Sequence, residues 1–304
     1  MKARILSISL LLLAPLTAAA QDVIGEESGP GMLFSGIVRD PVSLALGGTN
    51  AVPDGSSAYS AFSNPTAMWM TDGKFQAGVS YMKNLPHEAT PDRGVSVGTS
   101  FKFNSIFAAA LGFSSGWSPS YEILDIEGNR TGRSFSPKNT IFCGSFSARI
   151  VEMVTVGANI RYMSQSLTPD FKEGALASDV SASFTLKDFY VTAGVSNIKL
   201  TGNESIPSTA TVAVRYAHSF GFHRISATGE FDQYFYGASQ GGLGASYTYR
   251  NFVTVRTGYC LCGNNAPFPS RFSAGLGLKF RFLCLDAAFL PEDGSFCVGV
   301  RVDL

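Results

Sequence analysis

From Phe75 onward, apolar and polar residues alternate in run after run, and no other feature of the sequence restricts its fold so strongly. The last run, 295–304, reads S-F-C-V-G-V-R-V-D-L. Successive side chains of an extended strand point to opposite faces. Phe296, Val298, Val300, Val302 and Leu304 therefore share an apolar face, while Ser295, Cys297, Gly299, Arg301 and Asp303 share a polar one. Fourteen such runs can be marked, at 75–82, 94–103, 106–117, 139–151, 154–164, 178–186, 189–197, 208–220, 224–236, 242–250, 252–262, 271–280, 283–290 and 295–304. The spacing predicts an all-β chain.

The connections alternate in length. The longer ones are 83–93, 118–138, 165–177, 198–207, 237–241, 263–270 and 291–294; between them fall short turns at 104–105, 152–153, 187–188, 221–223, 250–251 and 281–282. Short turns at one mouth and longer loops at the other mark membrane barrels. A soluble sandwich has no reason to keep that order. The expectation is a fourteen-stranded antiparallel transmembrane β-barrel with both ends at the periplasmic mouth. Phe142, Phe146, Ile150, Leu243, Tyr247 and Phe272 then face lipid, and Ser145, Ser147, Thr155, Asn159, Ser246 and Thr248 face inward. A charge on the lipid face at mid-bilayer costs about 2–4 kcal/mol, which explains the segregation. A soluble barrel would reverse it; the loop order, the final strand and the leader decide between them.

The leader is read from Lys2 and Arg4, an apolar stretch at 5–16 that is too short to span a bilayer, and Ala18-Ala19-Ala20. It predicts a signal peptide over 1–20, cleaved between Ala20 and Gln21, and export to the outer membrane. Residues 21–73 do not alternate and form an expected plug segment; 74–304 form the barrel. With 15% charged residues and a net charge of zero, the chain is too neutral to grip a phosphate backbone, so no nucleic-acid partner is expected.

No constellation for catalysis stands out. His87, His218 and His223 are the three histidines, and none sits mid-strand beside a serine. Gly241-Gly242-Leu243-Gly244 opens a strand rather than a helix, so it is no phosphate loop. Five cysteines leave at least one without a partner in the chain, and Cys260-x-Cys262 has no histidine nearby for zinc. The cysteines read as small packing residues. No enzyme activity, metal or cofactor is expected. The register turns Arg149, Arg161, Arg215, Arg256 and Arg301 into the lumen, with Lys74 and Arg250, against Asp179, Glu230, Asp232, Asp286 and Asp303. Two readings stay open: a cross-linked interior that holds barrel and plug together, or a basic path for an anionic solute.

Within the plug, Ser43-Leu44-Ala45-Leu46-Gly47-Gly48 is followed by Asp54-Gly55-Ser56-Ser57-Ala58-Tyr59 and by Asn64-Pro65-Thr66-Ala67. Two short helices with a glycine break are expected, the second opened by Asn64 and Pro65. Together with the strands, this order resembles the PorV/PorQ family of outer-membrane proteins, relatives of the FadL-like long-chain fatty-acid transporter barrels. The chain departs from that pattern at Leu46, Gly55 and Thr66. Cys297, Gly299, Val302 and Leu304 resemble the closing signal of bacterial outer-membrane barrels, with Leu304 in place of the usual aromatic. The family resemblance implies an accessory protein of a type IX-like secretion system, helping to deliver or attach cargo at the cell surface. Its implied partners are outer-membrane lipid, secretion-system components and cargo C-terminal domains. The alternative it implies is a FadL-like transporter for hydrophobic small molecules.

Overall fold

A computed structural model describes residues 31–71, 73–83, 91–125, 127–202, 205–292 and 294–304. The expected signal peptide and its Ala20–Gln21 cleavage site lie outside the described residues, as does His87. The strands are β1 (Phe75–Lys83), β2 (Arg93–Lys102), β3 (Phe107–Trp117), β4 (Tyr121–Leu124), β5 (Arg130–Phe135), β6 (Lys138–Val151), β7 (Val154–Thr168) and β8 (Phe171–Leu186). They continue as β9 (Phe189–Thr201), β10 (Thr209–Phe220), β11 (His223–Tyr234), β12 (Ser239–Tyr249), β13 (Val253–Cys262), β14 (Arg271–Phe280), β15 (Leu283–Leu290) and β16 (Ser295–Asp303). All but β4 and β5 form one closed antiparallel barrel of fourteen strands in meander order.

Closure is made by β16 on β1, with Gln76 opposite Asp303 and Lys83 opposite Phe296. Leu304 and Phe75 exchange backbone hydrogen bonds of 2.9 Å in both directions, so the seam is bonded to its last residue. The outside carries the apolar set: Phe142, Phe146, Ile150, Leu243, Tyr247 and Phe272 are all exposed. The inward set, Ser145, Ser147, Thr155, Asn159, Ser246 and Thr248, is buried. A closed barrel with this surface is stable only with lipid around it, because its backbone is satisfied internally while its side chains are not suited to water.

The short turns lie at the mouth that holds Gly73 and Leu304, the periplasmic mouth. Arg250 and Asn251 both take positive φ, 51° and 54°, which suits the twist of a two-residue hairpin. Arg250 therefore belongs to the turn. Its guanidinium lies 5.1 Å from the Phe222 ring centroid and 5.5 Å from that of Tyr249, rather than inside the lumen as the sequence register predicts. Lys74 is likewise exposed just before β1.

Two features of the opposite mouth depart from the expected loops. Within 118–138, β4 and β5 pair as a separate hairpin. The expected 165–177 loop is instead mostly strand, since β7 and β8 run to 15 and 16 residues and meet in a tight turn. Membrane strands need about 9–11 residues, so this part of the wall stands beyond the bilayer.

The plug fills the lumen. A 3-10 turn at Leu33–Gly36 lies high in the barrel, where Asn197 Nδ2 reaches Ser35 Oγ at 3.5 Å. Helix α1 (Pro41–Ala45) is capped by Asp40, which accepts from the Val42 N–H at 3.1 Å, and has Pro at its first turn. Gly47 and Gly48 then turn the chain with φ of 74° and 83°. A Cβ on Gly47 would stand 2.6 Å from the Leu243 carbonyl oxygen, and one on Gly258 would stand 2.0 Å from the Gly47 nitrogen. Plug backbone and wall backbone touch here, which only glycine on both sides permits. Two more 3-10 turns follow, Ser60–Phe62 and Pro65–Met70. The second is capped by Asn64, whose side chain accepts from the Thr66 N–H at 3.0 Å, with Pro65 in the first position. The segment thus reaches from the outer half of the lumen to the periplasmic mouth.

Candidate functional site: a cavity above the plug

The polar lumen needs donors and acceptors to match, and the plug supplies many of them. Gly47 N–H donates to Ser273 Oγ at 3.0 Å, and Thr49 and Thr228 hydroxyls meet at 2.9 Å. Asn64 Nδ2 donates to the Ala51 carbonyl at 2.7 Å and to Thr192 Oγ1 at 3.2 Å, while Ser181 Oγ donates to Asn64 Oδ1 at 2.8 Å. The Asn64-Pro65 pair is therefore both a turn cap and a bolt between plug and wall.

The luminal arginines are tied down. Arg161 pairs with Asp179 and donates to Asn197 Oδ1 and the Phe62 carbonyl, both at 3.1 Å. Asp179 also accepts from the Asn197 N–H and from Asn159 Nδ2, each at 2.7 Å. Arg215 donates to the Pro53 carbonyl at 2.9 Å and lies 3.8 Å from Asp54. Arg224 donates to Asp54 at 2.6 Å. Arg256 and Arg301 hold Asp286 at 2.8 and 3.5 Å, and Arg301 also donates to the Gly55 carbonyl. Arg149 stacks 4.2 Å from the centroid of Trp69, whose indole N–H donates to Ser147. This is the geometry of a cross-linked interior, and no file of free cations runs down the lumen among the described residues. Gly299 sits against plug Pro41, Val302 pairs with Ala77 and Leu304 ends the seam.

Among the described residues the cross-links leave a cavity in the outer half of the lumen, with about 90 Å³ open to the centre of a water-sized sphere. The lining mixes two chemistries. Leu33, Val38, Phe62, Pro207 and Pro267 supply apolar parts of the wall. Glu230, Asp232, Thr209, Thr211, Asn197 and Gln240 supply polar ones. Ala51, Val52, Tyr190 and Ala213 pack together beneath it with Met70 against them. Under this floor a second, wider space, about 560 Å³ on the same measure, opens at the periplasmic mouth among Met70, Thr71, His223, Arg224, Arg250 and Lys279. The two share no lining residue, and the plug stretch Val52-Pro53-Asp54 lies between them.

The cavity also backs onto an irregular piece of wall. The β9–β10 ladder ends at Ser196 opposite Thr209, whereas β9 continues to Thr201 along β8. Asn197, at φ 59°, marks the bulge, and the Ser208 hydroxyl and Pro207 carbonyl close the gap by bonding its carbonyl and its Nδ2 at 2.7 and 3.1 Å. Sequence reasoning marked Glu230 and Asp232 as inward charges and Thr211 as inward-facing, but did not single out Asn197, Thr209 or Gln240. An asparagine, which tolerates positive φ, near a strand end was the available signal for the bulge.

The remaining polar singletons sit elsewhere. His218 Nδ1 lies 2.7 Å from Asp188 and His223 Nδ1 lies 2.7 Å from the Tyr247 hydroxyl, the first exposed and the second half-buried at the periplasmic rim. The five cysteines are free thiols, with Cys260 and Cys262 sulfurs 3.4 Å apart.

No family model and no curated protein matches the sequence. Solved structures do match the fold. The toluene transporter TbuX of Ralstonia pickettii aligns with a TM-score of 0.63 at 14% identity, over 87% of this chain and 98% of its own. The toluene transporter TodX of P. putida aligns at 0.61 and 11% identity, with the same 87% and 98% coverage. A FadL homologue of Pseudomonas aeruginosa aligns at 0.55 and 12% identity, over 91% of this chain and 100% of its own. The chain is a fourteen-stranded outer-membrane β-barrel with the architecture of the FadL-like barrels and an N-terminal segment inside it.

Proposed function

We propose that the chain carries small hydrophobic or amphipathic molecules across the outer membrane, with the outer cavity as binding site and the plug as gate. One observation carries this reading: a cavity in the outer half is separated from a periplasmic vestibule by a short plug stretch pinned through Arg215 and Arg224. A cavity on one side of a movable barrier is what a gated passage requires. The apolar parts of the cavity wall and the fold likeness to proteins described as toluene transporters support it. The secretion-accessory role implied by the PorV/PorQ resemblance rests on the 43–68 motif, and no feature of the cavity favours it. A deletion strain separates the two. On the proposal, uptake of a labelled hydrophobic solute slows while cargo with the C-terminal sorting domain is secreted normally. Normal uptake with cargo trapped in the periplasm would refute the proposal in favour of secretion.

A further inference from the structure

The cavity's charge is not balanced. Of the carboxylates that the barrel strands turn inward, Asp179 is matched by Arg161, Asp286 by Arg256 and Arg301, and Asp303 by Lys279 at 2.9 Å. Glu230 and Asp232, two residues apart on β11 and so on the same face, have no lysine, arginine or histidine nitrogen within 4.0 Å among the described residues. Both line the cavity. Arg161 and Asp179 also line it and cancel each other, so these two carboxylates are the cavity's uncompensated charge.

Neutral protein donors hold them in place without neutralising them. Glu230 Oε2 accepts the Ala51 N–H at 2.7 Å, and Asp232 Oδ1 accepts the Thr211 hydroxyl at 2.5 Å. Asp232 Oδ2 receives no hydrogen bond among the described residues. Two neighbouring carboxyls away from bulk water repel when both are ionised, so the pair carries its full charge only when a cation joins it. Leu33, Val38 and Phe62 supply apolar parts of the same cavity wall. A solute that satisfies both the acids and the apolar part has an apolar body and a positively charged head that donates hydrogen bonds.

We propose that the cavity selects protonated alkyl or aryl amines, with the head group between Asp232 and Glu230 and the body against the apolar part of the wall. The assignment rests on the reading of this cavity as a transport site and adds the charge of its solute. A carboxylate solute would meet the two acids and be excluded. A neutral alcohol would fill the apolar part but gain less from the acids.

The test uses the purified full chain in detergent and three water-soluble probes of equal length, hexylamine, hexanol and hexanoate, at pH 7 by titration calorimetry. Charge-assisted hydrogen bonds should favour hexylammonium over hexanol by at least about tenfold in Kd, with hexanoate the weakest. Asp232→Asn should reduce the amine's advantage over hexanol to within about twofold, because the remaining carboxylate can share its charge with water. Glu230→Gln, which keeps an acceptor for the Ala51 N–H, is the second variant should the first not assemble. Asp188→Asn, at the periplasmic rim, should leave the order of the probes unchanged. Hexanoate binding as tightly as hexylamine, or an amine preference that survives both acid variants, overturns the assignment. Equal binding of amine and alcohol also overturns it while leaving the transport reading in place. Binding of none of the three removes the cavity as a site, and both readings fall together.

Discussion

Asp54 is the residue whose loss should unlatch the barrier. Its side chain is 1% exposed and accepts from Arg224 Nη2 and from Ser246 Oγ, each at 2.6 Å, with Arg215 at 3.8 Å. Asp54→Ala leaves two guanidinium groups facing an empty site. Removing one partner of a buried pair costs about 3–5 kcal/mol. Arg224 is about one-third exposed, so water recovers part of that and the low end, about 3 kcal/mol, applies. At about 1.4 kcal/mol per decade, the undocked population of the Val52–Gly55 stretch should rise roughly 100-fold. Single-channel recording in planar bilayers reads this as open probability. Asp54→Ala should open about two orders of magnitude more often than the parent. Arg224→Ala added to it should recover part of the loss, since the unpaired charge is then gone. Acid should act on the same latch. Burial pushes the Asp54 carboxyl up, but Arg224, Arg215 and the Ser246 hydroxyl outweigh it and hold the group below its ordinary value. The latch is therefore complete above the free carboxylate value of about 3.9 and is lost as pH falls through the lower folded value. The parent should open only below about pH 4, with no such step in Asp54→Ala. An Asp54→Ala barrel with the parent's heat-shifted gel migration and the parent's open probability would refute the latch.

Three further outcomes follow from the packing. Gly258→Ala places a methyl 2.0 Å from the Gly47 nitrogen, a backbone atom that cannot swing aside, whereas Gly229→Ala meets only the Leu243 and Val214 side chains, at 3.5 and 3.7 Å. The first should lower the midpoint of the heat-modifiability transition, by about 1–3 kcal/mol of stability, and the second should leave it near the parent. Leu304→Asp, or removal of Val302 to Leu304, should block assembly and leave a protease-sensitive chain in the periplasm, while Leu304→Phe should assemble; normal assembly of the truncated chain would refute the role of these residues in closure. Leu243→Arg, on the lipid face near the middle of β12, should cost about 2–4 kcal/mol in urea unfolding from vesicles, and Ser226→Ala, on the inner face of β11, far less.

The strands were legible because lipid enforces their alternation. Where lipid ends, so does the signal. The outer part of β8, F-K-E-G-A, is polar on both faces and reads as loop, yet it pairs with β7 to Phe171. The hairpin of β4 and β5 is hidden for the same reason. Asn64-Pro65 could be read as a capped turn from the sequence, since both the cap and the first-position proline are local devices. What Asn64 bonds across the lumen could not, because Ser181 and Thr192 lie 117 and 128 residues away. The cavity was the least legible part. That Glu230 and Asp232 face inward follows from period two, but that Thr211 and Gln240 rather than arginines stand opposite Asp232 is fixed by strand register. Arg250 was misplaced because the alternation was carried one residue past the strand end into a left-handed turn.

The last strand grips both its neighbours and the object they surround. Arg301 on β16 donates to the Gly55 carbonyl and lies against Asp286, and Gly299 sits against Pro41, while the same strand zips to β1 from Gln76 to Lys83. The chain from Leu33 to Thr71 is also bonded to β1, β2, β7, β8, β9, β10, β11 and β14. The closing strand is therefore anchored on its inner side as well as along its ladder, so loosening the segment inside would also loosen the seam that completes the wall.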